Sequence, residues 1–247
     1  AKVQQRFGGR LRFMVSGGAP LNPEVGSFFL SLGINILQGY GQTESAPVVS
    51  CNLPEKIQID TVGPPLDKVQ CHIAEDGEIL VKGELVMQGY WRKPEATNET
   101  IRDGWLHTGD IGAFDADGYL RITDRKKDII VNSGGDNISP QRVEGFLTLE
   151  PEINQAMVFG DKRPHLVAVI VPEDDGNSAD KPALEAMIMG AIERVNKTLS
   201  PIERVRRIII ADAPFTTDNG QMTPTLKVRR HVIIGIYGER LEGLYRR

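Results

Sequence analysis

Residues 34–45 read Ile-Asn-Ile-Leu-Gln-Gly-Tyr-Gly-Gln-Thr-Glu-Ser. The apolar run 34–37 predicts a short buried strand, and the loop that follows is flanked by Gly39 and Gly41. Glycines there let backbone approach a ligand closely. In the loop, Tyr40 offers a flat face to a base, Thr43 a hydroxyl to a phosphate, and Glu44 a hard oxygen to Mg2+. A plain polar turn has the same composition, so this loop alone decides nothing about chemistry.

Upstream, residues 11–15 predict a second short buried strand. Asn22-Pro23 then reads as a helix start, with Asn as N-cap and Pro at the first helical position. Val25, Phe28, Phe29 and Leu32 follow at helical spacing, and Gly33 sits where a C-terminal cap belongs. Strand, helix and strand in this order predict a β-α-β element of an α/β sheet.

Downstream the character changes. Over 62–123, strand-like runs at 69–73, 78–81, 85–87, 111–114 and 119–123 are separated by Gly and Asp turns, with Asp115-Ala-Asp-Gly118 as a hairpin connection. These predict a small β-barrel or sandwich over 61–124, the barrel being the expected form. After Asp124, Ser139-Pro140 starts a helix carrying Val143, Phe146 and Leu147, and runs 155–159, 166–171 and 206–211 read as strands. Leu184, Met187, Ile188, Ala191, Ile192, Val195 and Leu199 form a helical stripe, the signature of core packing. The expected division is therefore 1–124, α/β with the barrel, and 125–247, a compact α+β domain.

Composition sets the outer bounds. The 247 residues carry a net charge of -4, which gives no whole-chain pull toward nucleic acid or anionic lipid. Basic residues cluster at Arg125-Lys126-Lys127, 204–207 and 227–230, where solvated faces are the plain alternative to function. Cys51 and Cys71 fit no metal spacing and no disulfide framework, which points to a reducing compartment. No apolar run approaches the roughly 20 residues of a membrane span. The chain opens Ala-Lys-Val-Gln-Gln without Met or signal peptide and reads as a piece of a longer protein.

Three further motifs could carry chemistry. In Gly104-Trp-Leu-His-Thr-Gly-Asp110, the terminal acid can accept ribose hydroxyls, as the Asp of dinucleotide folds does, or merely stabilise its own turn. His107 reads as structural, because no Ser or Cys nucleophile context surrounds it. Asp124-Arg-Lys-Lys-Asp128 and Asn132-Ser-Gly-Gly-Asp-Asn-Ile-Ser-Pro140 could form a hinge and a phosphate-facing rim, or a solvated linker. In Met222-Thr-Pro-Thr-Leu-Lys227, a lysine after a Pro-containing turn could present a point charge to an anion, or do nothing.

Together, in this order and spacing, the four motifs closely resemble the adenylate-forming family of acyl-coenzyme A synthetases, beetle luciferases and peptide-synthetase adenylation domains. The resemblance covers essentially the whole chain. It implies that Gly17-Gly18-Ala19-Pro20 lies beside the adenine, that Tyr40 in its Gly41-flanked loop stacks on it, and that Thr43 contacts the α-phosphate. Glu44 would hold Mg2+, Asp110 the ribose hydroxyls, and Arg125 would approach ribose or phosphate. Lys127 matches the hinge, Gly134 and Gly135 the loop lining the pantetheine tunnel, and Lys227 the catalytic lysine.

The family's Ser/Thr/Gly-rich phosphate loop ending in Lys is absent; the Gly-Gly pairs at 8–9, 17–18 and 134–135 lack its Thr-rich surroundings. The resemblance therefore implies the C-terminal remnant of the large AMP-binding domain followed by a mobile lid. The implied function is ATP-dependent fatty acid–CoA ligation, long-chain by its Arg-Lys-Lys-Asp and Met-Thr-Pro-Thr-Leu-Lys runs, through acyl-AMP. Its small molecules are ATP and AMP, Mg2+, coenzyme A and a fatty acid. An acyl carrier protein as acceptor and a non-catalytic nucleotide-binding fragment are the rivals. The expected partner is the missing N-terminal portion of its own chain, without which turnover is not expected. A cytoplasmic location, with peripheral contact to the inner membrane face, completes the expectation.

Overall fold

The computed structural model describes residues 2–173 and 181–246. It divides into two compact units, Ala1–Lys127 and Asp128–Arg247.

The first unit opens with α1 (Lys2–Arg6), β1 (Met14–Ser16), α2 (Pro23–Ser31), β2 (Ile36–Tyr40) and β3 (Ser50–Cys51). The side chain of Asn22 caps α2 by accepting from Glu24 N at 2.8 Å, as the Asn-Pro pair predicts. Leu32 takes the C-cap, and Gly33 turns the chain away at φ +76°. β1 lies parallel to β2 with Ser16 opposite Gln38, and β3 adds antiparallel.

An open five-stranded sheet follows, made of β4 (Gln70–Ile73), β5 (Glu78–Lys82), β6 (Ile101–Arg102), β7 (Trp105–Phe114) and β8 (Leu120–Arg125), with α3 (Pro94–Thr100) leading into β6. The expected barrel does not close. Closure needs the outer strands to meet at a fixed tilt and stagger. Here β4 pairs with β5 among the described residues, and the long β7 divides its edges among β5, β6 and β8. The expected strand at 85–87 is a turn instead. Gly83, at φ +153°, takes the chain out of β5, and Met87 N donates to Glu44 O at 2.9 Å. The core joins Tyr40 and Val49 to Val62, Ile79, Val81, Leu106 and Leu120, so the loop after β2 is anchored on the open sheet.

The second unit contains the hairpin β9 (Ile130–Val131) and β10 (Asn137–Ile138), α4 (Pro140–Leu147), β11 (Ile153–Phe159), β12 (Leu166–Pro172), α5 (Lys181–Asn196), β13 (Val205–Ile210) and α6 (Arg230–Gly243). Ser139 caps α4 by accepting from Arg142 N at 3.3 Å. β12 is central, antiparallel to β11 and parallel to β13. Its unbroken apolar run reflects burial on both faces. Leu166, Ala168 and Ile170 pack with Val143, Leu147, Ile188 and Ile192 of α4 and α5. Val167, Val169 and Val171 pack with Phe215 and with Ile233, Tyr237 and Leu241 of α6.

Candidate functional site

Because β1 and β2 are parallel, the loops that follow them leave the same edge, the carboxyl ends where α/β sheets take ligands. The first loop is Gly17-Gly18-Ala19-Pro20, all exposed. It runs close to the second: a Cβ on Gly17 would stand 3.4 Å from Gly39 O, and Gly18 turns at φ +82°. Leu21 N donates to Gln38 Oε1 at 2.9 Å and fixes the far side of the loop to β2.

The second loop begins at Gly41, where a Cβ would lie 1.6 Å from Pro47 O; no other residue fits without moving backbone. A short 3-10 turn, Thr43–Ser45, follows. Gln42 N donates to Ser45 Oγ at 3.0 Å, which closes the turn. Thr43 is thereby exposed and Glu44 half-buried. The hydroxyl of Tyr90 donates to Glu44 Oε1 at 2.7 Å. Burial, then this bond to a carboxylate, raises the Tyr90 pKa, so the phenol stays a donor and aims the Glu44 carboxylate. Among the described residues no group of three or more His, Cys, Asp or Glu could hold a metal by itself. A single oriented carboxylate suits Mg2+ that arrives on phosphates and keeps its waters.

Asp110 sits on β7, only 5% exposed. Oδ2 accepts from Tyr40 Oη at 2.7 Å and from Gln42 Nε2 at 2.7 Å. Arg125 Nε lies 3.3 Å from Oδ1, brought there by the pairing of Asp110 with Arg125 across β7 and β8. Two donors and a guanidinium compensate the carboxylate for lost water. Burial, and then the Asp110 charge, push the Tyr40 phenol far above its usual pKa and keep it protonated. The Tyr40 ring itself is nearly all buried in the core, so the face left to a base is small. Gln42 Nε2 also donates to Thr108 O at 2.9 Å, and Thr108 Oγ1 donates to Ile79 O at 2.7 Å while accepting from Asp110 N at 3.1 Å.

Behind Asp110 stands buried Glu78. Its Oε1 accepts from Gly109 N at 2.9 Å, and its Oε2 takes Lys126 Nζ at 3.1 Å and His107 Nδ1 at 3.4 Å. Burial raises the Glu78 pKa, but these partners together outweigh it and hold the carboxyl below the usual range. His107 thus lies against the Glu78 carboxylate, in the same cluster as Lys126. Burial pushes the Cys71 thiol up to about 11 and also raises Cys51, so neither is poised as a nucleophile.

In the second unit, Gly134 and Gly135 form the exposed tip of the β9–β10 hairpin. Asn132 Oδ1 accepts from Gly134 N at 2.8 Å and Asp136 N at 2.9 Å, and Gly135 turns at φ +88°. Lys227 lies on a tight turn. Thr223 N donates to Lys227 O at 2.8 Å, and Thr223 Oγ1 accepts from Lys227 N at 3.0 Å. The Lys227 side chain is exposed, and Leu226 beside it has φ +59°. Lys127, also exposed, is the last residue of the first unit.

The structure thus brings Tyr40, Asp110 and Arg125 together and places Glu44 in the same loop as Tyr40. The Gly134-Gly135 tip and Lys227 lie in the other unit. Gln42, Tyr90, Glu78 and Lys126 are partners that sequence reading missed. Gln42 and Lys126 stood inside quoted motifs without a role of their own, whereas Tyr90 and Glu78 gave no local signal. The basic runs resolve into specific contacts: besides Arg125 and Lys126, Arg230 donates to Val158 O at 2.8 Å and pairs with Glu144.

Known proteins match over the same span. A model of the AMP-binding enzyme family matches residues 1–91, and one of the AMP-binding enzyme C-terminal domain matches residues 127–247. Long-chain-fatty-acid–CoA ligase FadD15 of Mycobacterium bovis is 39% identical over 99% of this chain, which covers 44% of that protein. Long-chain-fatty-acid–CoA ligase 1 of Homo sapiens is 33% identical over 99% of this chain and 39% of its own. The chain therefore spans less than half the length of the curated relatives it matches. Among solved structures, the adenylation domain of a carboxylate reductase from Mycobacterium chelonae superposes with a TM-score of 0.83 at 30% identity, over 99% of this chain and 40% of that one. The A-PCP didomain of a carboxylic acid reductase from Segniliparus rugosus, in complex with AMP, gives 0.77 at 29%, over 99% and 36%. With both family models matched in order along its length, the chain belongs to the AMP-binding, adenylate-forming enzyme family.

Proposed function

We propose that the protein to which these residues belong is an AMP-forming acyl-CoA synthetase acting on long-chain fatty acids. The observation that carries this reading is the buried Asp110 carboxylate, held by Tyr40, Gln42 and Arg125 beside the strand-end loops. Such a carboxylate is preorganised to accept the two ribose hydroxyls of ATP or AMP without reorganising first. The 39% identity to a long-chain ligase supports the acyl class.

In this reading, the boundary expected at 124/125 moves to the division after Lys127, because Arg125 and Lys126 are bonded within the open sheet: the first unit is the end of the large AMP-binding domain and the second the lid. Gly17, Gly18 and Ala19 border the adenine with Tyr40 and Gly41. Thr43 donates its exposed hydroxyl to the α-phosphate. Glu44, aimed by Tyr90, would hold Mg2+, which supplies charge neutralisation for the phosphates. Lys227 supplies a positive charge where negative charge builds at the α-phosphate as the carboxylate attacks and pyrophosphate leaves. The unit then turns about Lys127, which withdraws Lys227 and brings Gly134 and Gly135 to the path of the coenzyme A thiol. The thiol attacks the acyl carbon, and AMP leaves. The residues that would grip the β- and γ-phosphates are not in this sequence, so these 247 residues alone are expected not to turn over ATP. A cytoplasmic enzyme that touches the inner membrane face peripherally would suit the substrate.

The test is a full-length assay with ATP, Mg2+, palmitate and coenzyme A. Equimolar AMP, pyrophosphate and palmitoyl-CoA support the reading. Absence of AMP with every fatty acid, in a protein that still binds nucleotide, would establish a non-catalytic binder. The likeness to an A-PCP didomain favours a carrier protein as the alternative acceptor. Acyl transfer to a phosphopantetheine-bearing carrier but not to coenzyme A would decide for it.

A further inference from the structure

Lys126 is joined to Gly109 twice. Its backbone N–H donates to Gly109 O at 2.8 Å. Its ammonium donates at 3.1 Å to Glu78, whose other oxygen accepts from Gly109 N at 2.9 Å. The same ammonium reaches Asp76 Oδ2 at 2.6 Å. Glu78 is 7% exposed, so its charge is held by these partners in place of water. Gly109 has φ +71°, and nothing lies within 4 Å of where its Cβ would be. The left-handed turn there is therefore kept by hydrogen bonds to both ends of its peptide, not by crowding. Asp110 is the next residue, and the direction of its side chain follows from that turn.

We infer that Glu78 and Lys126 are positioning residues for the Asp110 carboxylate and tie it to the root of the connector between the two units. Glu78 fixes the amide of Gly109. Lys126 neutralises Glu78 and pins Gly109 from the carbonyl side. With two carboxylates on its ammonium, Lys126 is committed within its own sheet and is not a phosphate ligand. Its neighbour Lys127, exposed and first beyond the clamp, marks where freedom of the chain can begin. The inference deepens the proposed function and rests on Asp110 as the ribose ligand.

The test compares AMP, 2′,3′-dideoxy-AMP and adenosine by calorimetric titration of the full-length protein, its Lys126→Met, Lys126→Arg and Glu78→Gln variants, and Lys82→Met as control at an exposed lysine of the same sheet. The wild type should prefer AMP over the dideoxy nucleotide. Lys126→Met should erode that preference about tenfold, the scale of losing a partner that orients a ligand-holding side chain. Lys126→Arg should restore most of it, and Lys82→Met should leave it intact. Glu78→Gln, which keeps its shape, should behave like Lys126→Met and covers the case in which that variant fails to fold. Equal weakening for both nucleotides would reduce the clamp to general structure and overturn the inference. Weakening for AMP but not adenosine would make Lys126 a phosphate ligand and overturn it too. A wild type without ribose preference would sink the Asp110 reading itself. A preference that persists in Lys126→Met and Glu78→Gln would sink only the clamp.

Discussion

The phenol of Tyr40 donates to Asp110 Oδ2 at 2.7 Å, across 70 residues of sequence, and links the loop after β2 to the spine of the open sheet. One bond thereby couples the place assigned to the base with the place assigned to the ribose. Tyr40→Phe removes only the hydroxyl. It leaves Asp110 buried with one donor fewer, and loss of a hydrogen bond to a charged group costs about 1.5–3 kcal/mol. Urea unfolding of the 247-residue chain should show a loss of that size, and AMP should bind more weakly. An unchanged midpoint would mean that Gln42 and Arg125 suffice to hold Asp110.

The turn that carries Lys227 is closed by Thr223, through its backbone and its hydroxyl, so truncating the lysine leaves the turn standing. In the full-length enzyme, Lys227→Ala should slow acyl-adenylate formation by about 10²-fold or more, as loss of a strong electrostatic stabiliser does. Thioester formation from preformed acyl-adenylate should be largely spared. Single-turnover assays of each half-reaction separate the two. An equal fall in both would remove Lys227 from its assigned role.

Lys127 is the last residue before the division between the units. A pivot must change backbone torsions, and proline locks φ near -65°. Lys127→Pro should therefore damage one half-reaction, the one needing the torsion that proline forbids, far more than the other. Equal damage in a folded protein would place the pivot elsewhere.

Glu78 links acid stability to the clamp. Its folded pKa lies below the ordinary value of 4.5, so its contribution is fully present above that value and is lost as pH falls through the lower, folded one. Asp76 is also held down, chiefly by Lys126, and acts in the same direction. The stability gap between wild type and Glu78→Gln should stay constant above about pH 5 and narrow below 4.5. Denaturant midpoints measured across that window check it. A gap that widens toward acid would mean that Glu78 is protonated in the fold.

Local chemistry was the legible part of this chain. Asn22-Pro23 and Ser139-Pro140 announce their helices because cap and proline act on backbone groups two or three residues away. The hairpin at Asp115 to Gly118 is local for the same reason. Barrel closure was misread because it depends on which distant strands meet, and strand runs alone do not say. α6 escaped because Val232, Ile233, Ile234, Gly235 and Gly238 depress helix propensity, although Ile233, Tyr237 and Leu241 recur at the helical interval. In the candidate site, Asp110 and Arg125 stood in quoted motifs, and the pairing of β7 with β8 sets them side by side. Tyr90 on Glu44, 46 residues apart, and Lys126 on Glu78, 48 apart, exist only once strands and turns are assembled.

The central strand β12 is covered on one face by α4 and α5 and on the other by α6, all from the same unit. That arrangement has a consequence for inheritance. A chimaera joined between Lys127 and Asp128 receives both apolar clusters whole, so each keeps the packing of a single parent. A junction a few residues later, between Ile130 and Ile138, would take those two side chains from different parents and seat them in one cluster. Recombination among family members should therefore leave its seams before Ile130, where a swap changes what the piece works on without changing what holds it together.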